Sequence, residues 1–118
     1  MIPITTLRKR AQFLELKEHG KRVHAGAFVL QWLDKPDQSS LSVGYTASTK
    51  AIGNAVKRNR ARRRLRAMVD KLVRLNPHAT RAGGGWVNIV AKAEVLTVPY
   101  ETLEAHMATA LGKAGITC

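Results

Sequence analysis

Asn54-Ala55-Val56-Lys57-Arg58-Asn59-Arg60-Ala61-Arg62-Arg63-Arg64-Leu65-Arg66-Ala67-Met68 carries seven cations and no acid. At about 100° per residue, a helix places Ala61, Leu65, Met68, Leu72 and Leu75 on one stripe, with the four-three-four-three spacing of a core-facing helix. Asn59, Arg62, Arg63 and Arg66 fall on the opposite side, and Lys57, Arg58, Arg60 and Arg64 flank the stripe. The spacing predicts one helix from about Asn54 to Leu75. Thr49 or Asn54 caps it, and Asn76-Pro77 ends it, because the residue before a proline avoids the helical region. Such a helix needs a sheet or other helices behind its apolar stripe and an anion in front of its cations.

Six of the seven cations are arginine. A guanidinium fork can bond two phosphate oxygens at once and can stack on a base, which lysine cannot do. The plainer alternative is a solvated helix face. Such faces usually alternate in sign and gain i,i+4 ion pairs, and none is available between Lys57 and Arg66. No acid occurs anywhere between Asp37 and Asp70, and the whole chain of 118 residues carries a formal charge of +12. A balance this one-sided repels itself unless a polyanion neutralises it. Nucleic acid is the leading partner. A membrane surface is disfavoured because the cations do not flank a large exposed apolar helix face. A helix-turn-helix DNA reader would have another helix just before the basic one; an alternating, strand-like run precedes it here, which favours RNA.

Leu7 to His19 reads as a helix stopped by Gly20. From Arg22 to Leu33 the pattern alternates, with Phe28, Leu30 and Trp32 on one face and Ala27, Val29 and Gln31 on the other. Asp34 to Ser40 is rich in turn formers. A second alternating run follows, Leu41, Val43 and Tyr45 against Ser42, Gly44 and Thr46, and the two runs read as an antiparallel hairpin. Arg81 to Gly85 reads as a flexible loop, Trp86 to Ala91 as a buried strand, and Pro99 opens a last helix ending near Lys113. The expectation is one α+β domain over residues 1–118, in the order α-β-β-α-β-α, with a mostly antiparallel sheet covered by helices.

Other chemistry is poorly supported. His19, His24, His78 and His106 fall in separate elements, the eight acids form no ligand cluster, and Gly83-Gly84-Gly85 lacks the Lys-Ser/Thr of a phosphate-cradling loop. No catalytic residue, protein-bound cofactor or small-molecule substrate is expected. The single cysteine, Cys118, leaves no internal disulfide and no cysteine-based zinc site. Met1 to Thr6 is only mildly apolar and is followed, not preceded, by Arg8, Lys9 and Arg10, so no secretory signal is expected. No apolar run is long enough to span a bilayer. A reduced, cytoplasmic setting is the expectation.

Gly53-Asn54-Ala55-Val56-Lys57-Arg58-Asn59-Arg60 together with Ala61-Arg62-Arg63-Arg64-Leu65-Arg66 resembles the signature helix of the bacterial ribonuclease P protein family. Leu7-Arg8-Lys9 with Phe13, His19-Gly20, Phe28-Val29-Leu30 and Val43-Gly44-Tyr45-Thr46 extend the resemblance over nearly the whole chain. It implies an α/β sandwich with a left-handed βαβ crossover. It also implies a subunit that joins a catalytic RNA to remove the 5′ leader from precursor tRNA. In that reading the RNA carries magnesium-dependent hydrolysis and the protein helps the particle retain the ion. Carried over by position, Lys57, Arg58, Asn59, Arg60, Arg62, Arg63 and Arg66 form the RNA-contacting set, with Lys50 just before them. Phe13, Val29 and Gln31 would line a cleft for the single-stranded leader, where a ring can stack on a base; the alternative for Phe13 is an ordinary core aromatic. Phe28 and Trp32, on the other strand face, read as core. Three positions depart from the family pattern. Gln31 and Lys17 stand where aromatics are common, so polar contacts would replace stacking, and Ala51 is one residue extra before Ile52-Gly53. A ribosomal-type binding protein would share the size and charge but not the Gly-Asn-Ala-Val string, and an independent protein nuclease lacks an acid–base set.

Overall fold

The computed structural model describes residues 2–117; Met1 and the lone cysteine, Cys118, lie outside them. The elements run β1 (Ile4–Thr6), α1 (Arg10–His19), β2 (Lys21–His24), β3 (Phe28–Lys35), β4 (Leu41–Thr46), α2 (Thr49–Ile52), α3 (Ala55–Val69), β5 (Gly84–Ala91) and α4 (Tyr100–Lys113). A π-helical turn, Asp70–Arg74, continues α3, and a 3₁₀ turn, Ala93–Leu96, follows β5. The five strands form one sheet in the order β1-β4-β5-β3-β2. The expected α+β architecture is present, with β1 added to the expected order and the run read as one strand from Arg22 to Leu33 divided into β2 and β3.

The hairpin expected between β3 and β4 does not form. Strand β5 lies between them, parallel to β4 and antiparallel to β3, while β1 pairs parallel to β4 and β2 antiparallel to β3. The sheet is therefore evenly mixed rather than mostly antiparallel. Alternation reports which face a strand buries but not which strand lies beside it. The most buried strand takes the centre: Val87, Ile89 and Ala91 are buried on one face and Asn88 on the other. To admit it, the segment after β3 passes over the start of β5, where the Gly84 amide donates to the Gln38 carbonyl at 3.0 Å. A Cβ on Gly84 would lie 2.3 Å from that carbonyl and 2.4 Å from the Ser40 carbonyl, so only glycine fits. Gly84 and Gly85 thus begin a strand rather than forming the expected flexible loop.

One face of the sheet carries the main core. Phe28, Leu30, Leu41, Val43, Val87 and Ile89 pack with Ala61, Leu65 and Val69 of α3 and with Leu103, Met107 and Ala110 of α4. Burying a side chain the size of Leu65 contributes roughly 1.5–3 kcal/mol. The other face is covered by α1, which buries Leu16 and sets Phe13 against Gly44 of β4. Helix α1 begins at Arg10, not Leu7, because the Leu7 amide bonds to the Val43 carbonyl at 3.1 Å and extends the β1–β4 pairing. It ends at Gly20, in extended backbone, where a Cβ would meet the Leu16 carbonyl at 2.4 Å.

The expected long helix starts where its spacing and Asn54 cap predict and departs from expectation only at its far end. Gly53, at φ 115°, separates α2 from α3, a conformation open to glycine and strained for other residues. Ser48 Oγ accepts the Ala51 amide at 3.1 Å and caps α2; Asn54 Oδ1 accepts the Lys57 amide at 3.0 Å and caps α3. Ala51 lies in the turn of α2. At the far end the Leu75 amide bonds back five residues to the Asp70 carbonyl at 2.8 Å, a π turn that inserts one residue into the helical phase. Ala61, Leu65 and Met68 are buried as their spacing predicts, but beyond them Val69 and Val73 take the core positions. Leu72 is only partly buried, and Leu75 stands 64 % exposed.

Candidate nucleic-acid interface

Helix α3 turns its cations outward because Ala61, Leu65 and Val69 pin its back to the sheet. Lys57, Asn59, Arg60, Arg63 and Arg66 are exposed, Arg58 and Arg62 are half-buried, and Lys50 is exposed on α2. Among the described residues none of these cations pairs with an acid. The acids that do pair are engaged elsewhere: Glu15 with Lys35, Asp70 with Arg74, Glu104 with Lys71 and Asp34 with Arg81. Asn59, Arg62, Arg63 and Arg66 frame a shallow depression of about 340 Å³. Arg62 Nη1 donates to Asn59 Oδ1 at 3.2 Å, which holds one guanidinium in place while leaving its charge uncompensated.

Two arginines of the run behave differently. Arg58 reaches back to α2, donating from Nη1 to Thr49 Oγ1 at 3.0 Å. Arg64 turns inward: its Nη1 donates to the Leu96 carbonyl at 3.0 Å, its Nη2 donates to the Val98 carbonyl, and the guanidinium lies 4.6 Å from the centre of the Tyr100 ring. Its place on the flank of the apolar stripe allows this. Arg64 staples α3 to the segment leading into α4.

Phe13, Val29 and Gln31 share the α1 side of the sheet. Phe13 lies against Gly44, Gly44 pairs with Asn88, and Asn88 Nδ2 donates to Gln31 Oε1 at 3.5 Å. Val29 is two residues from Gln31 on β3 and so points to the same side. Asn88 is 5 % exposed, and its Oδ1 accepts the Thr46 hydroxyl at 3.0 Å. The sequence reading passed over Asn88 and Thr46; the one polar residue inside Trp86-Val87-Asn88-Ile89-Val90-Ala91 was the available signal. Phe28 is fully buried on the opposite face, and Trp32 packs against the same core.

A larger groove of about 450 Å³ opens at the β1 edge of the sheet, between β1, Tyr45 and the outer side of α3. Arg62, Arg66 and Arg74 converge on it, with Asp70 beside them and Phe13 at the rim. Arg74 Nε donates to Asp70 Oδ1 at 2.8 Å, and Arg66 stands 5.3 Å from the Tyr45 ring centre. Burial pushes the Tyr45 phenol well above its usual range, and the Asp70 carboxylate adds to the rise, against the opposing pull of Arg66 and Arg74. Sequence periodicity had assigned Tyr45 to a strand face and had no view of Asp70 or Arg74, because the π turn that aims them is not visible as a pattern.

His24 and His106, read as separate, meet at one small pocket with Lys113. Among the described residues no three His, Cys, Asp or Glu side chains group as a metal site, and no helix is long and apolar enough to cross a membrane.

A family model described as Ribonuclease P matches residues 3–115. The ribonuclease P protein component of Gluconacetobacter diazotrophicus is 45 % identical over 71 residues, an alignment that spans 60 % of each chain. That of Paramagnetospirillum magneticum is 36 % identical over 113 residues, covering 92 % of this chain and 81 % of the relative. Among solved structures, the RNase P protein from Thermotoga maritima superimposes with a TM-score of 0.74 at 20 % identity, covering 92 % of this chain and 96 % of that one. A Staphylococcus aureus RNase P protein mutant gives 0.77 at 20 % identity, covering 95 % and 89 %. With the family model matched over almost its whole length, the chain belongs to the ribonuclease P protein family.

Proposed function

We propose that this chain is the protein subunit of a ribonuclease P particle, assisting a catalytic RNA in the endonucleolytic removal of the 5′ leader from precursor tRNA. The observation that carries this reading is the outward face of α3, a row of guanidiniums with no acid partner among the described residues, fixed by a buried apolar back. Lys50, Lys57, Asn59, Arg60, Arg62, Arg63 and Arg66 meet phosphates of the folded RNA. Arg58 contributes mainly by holding α2, and with it Lys50, against α3. Phe13, Val29 and Gln31 take the leader, and the Gln31–Asn88–Thr46 chain offers amide and hydroxyl groups where an aromatic would stack. The RNA supplies the hydrolytic chemistry and holds the magnesium, and the basic face lowers the repulsion between the two RNA molecules it bridges. The setting is cytoplasmic.

Reconstitution tests the reading. Purified protein, catalytic RNA, or both are incubated with precursor tRNA at low magnesium. Leader removal that requires both components is expected. Cleavage by the protein alone, or RNA-driven cleavage indifferent to the protein, would overturn the proposal.

A further inference from the structure

Arg64 points inward, yet the ring it meets points out. Tyr100, the first residue of α4, is 56 % exposed, although the Arg64 guanidinium lies 4.6 Å from its ring centre and covers one face. That guanidinium is itself fixed, because the Leu96 and Val98 carbonyls hold both of its terminal nitrogens. The ring is therefore backed on one side and open on the other. Its hydroxyl makes no hydrogen bond among the described residues. A flat apolar face held in place loses little freedom on binding.

The cations on this flank of α3 continue the line. Residues three and four apart share a helix face, so Arg60 stands one turn before Arg64, about 6 Å along the axis, and Lys57 lies one turn before Arg60. Both are exposed and have no acid partner among the described residues. This flank looks toward α4, whereas Arg62 and Arg66 border the groove on the other side of α3. Charge reverses around the ring on the α4 side: Glu101 follows Tyr100, Glu94 precedes it, and both are exposed. A phosphate is drawn to α3 and repelled from α4, while an uncharged base meets no such penalty at Tyr100.

We infer that Tyr100 is a stacking platform for an unpaired base of the catalytic RNA, which lies on the open face of the ring with its phosphate toward Arg60 and Lys57. The inference rests on the reading of α3 as an RNA-binding helix and carries the interface across to α4. Arg64 then has two tasks, stapling α3 to the segment before α4 and holding the ring from behind.

The test measures affinity for the folded catalytic RNA over a salt series. Tyr100→Leu keeps an apolar side chain but removes the ring, Tyr100→Phe removes only the hydroxyl, and Tyr100→Trp enlarges the aromatic face. An exposed position accepts all three without unfolding the chain. Tyr100→Leu is expected to weaken binding about tenfold, the effect of one base on one ring. The slope of log affinity against log salt should stay at the parent value, because stacking releases no counterion. Tyr100→Phe should bind within about twofold of the parent, and Tyr100→Trp as tightly or more tightly. If the ring served only to position α3, the loss in Tyr100→Leu would come with a lower slope, as Arg60 left its phosphate. That result, native affinity in Tyr100→Leu, an equal loss in Tyr100→Phe, or weaker binding in Tyr100→Trp would overturn the inference. The ridge reading fails separately, if Arg60→Ala with Arg63→Ala leaves folded-RNA binding intact.

Discussion

At the scale of single residues, the arginines of α3 divide by direction rather than by composition. Arg60 and Arg63 are exposed, with no intramolecular hydrogen bond or acid partner among the described residues, whereas Arg64 is 8 % exposed and bonds two carbonyls. Replacing Arg64 by alanine leaves those carbonyls without their charged donor and is expected to cost about 2–4 kcal/mol of stability, read by urea unfolding. Lysine should rescue little, since a single ammonium cannot span both carbonyls as a fork does. Arg60→Ala and Arg63→Ala should leave stability within about 0.5 kcal/mol while each lowers the salt slope of binding to the catalytic RNA by somewhat less than one unit. A double variant with native affinity and native slope would remove the ridge from the interface. The same string of letters therefore contains two kinds of arginine. Sequence placed Arg64 on the flank of the apolar stripe, and only the neighbouring carbonyls of Leu96 and Val98 made it structural.

At the scale of elements, the helix phase is the quantity most exposed to error. Periodicity located the apolar back of α3 correctly through Met68 and then failed at Leu75, because one π turn advances the phase by a residue. Leu65→Ala should destabilise by about 2–5 kcal/mol, and Leu75→Ala should lie within about 0.5 kcal/mol of the parent. Equal effects in thermal melting would mean that the helix runs on without the turn. The caps are a second element-scale test: Asn54→Ala removes the bond to the Lys57 amide and should cost about 1 kcal/mol. The sheet gave a different kind of error. Faces were legible in β3 and β4, whose alternate apolar residues Phe28, Leu30, Leu41 and Val43 all join the main core, yet neighbours were not. The β3–β4 pairing failed because the residues that insert β5, Gly84 beneath the Gln38 and Ser40 carbonyls, act across more than forty positions of chain. Strand β1 was missed because three residues, one apolar and two polar, carry no period; its pairing to β4 supplies what its sequence does not.

At the scale of the whole molecule, charge governs stability as well as binding. A chain of formal charge +12 repels itself, so a polyphosphate that binds the folded state should raise the melting temperature at millimolar concentration. The rise should saturate as a binding isotherm does and should shrink in the Arg60→Ala, Arg63→Ala double variant. An equal rise in that variant would locate the anion elsewhere. Tyr45 adds an alkaline limit. Its phenol titrates higher in the folded than in the unfolded chain, so below the unfolded value of about 10 both states are protonated and stability is unaffected. As pH rises beyond that value the unfolded state releases its proton first and is favoured, and stability falls. The decline above about pH 10 should be shallower in Tyr45→Phe; an unchanged profile would place the phenol in water.

The sequence by itself determined the α+β class, the stripe that anchors α3, the excess of cations over acids and the family, because each of these depends on the order or the number of residues along a few turns of chain. The tertiary structure decided which strands are neighbours, which arginine turns inward, and that Tyr45, Asp70 and Arg74 meet beside Arg62 and Arg66. Those outcomes depend on contacts between residues far apart in the chain and on a one-residue change of helical phase, and neither leaves a local period to be read.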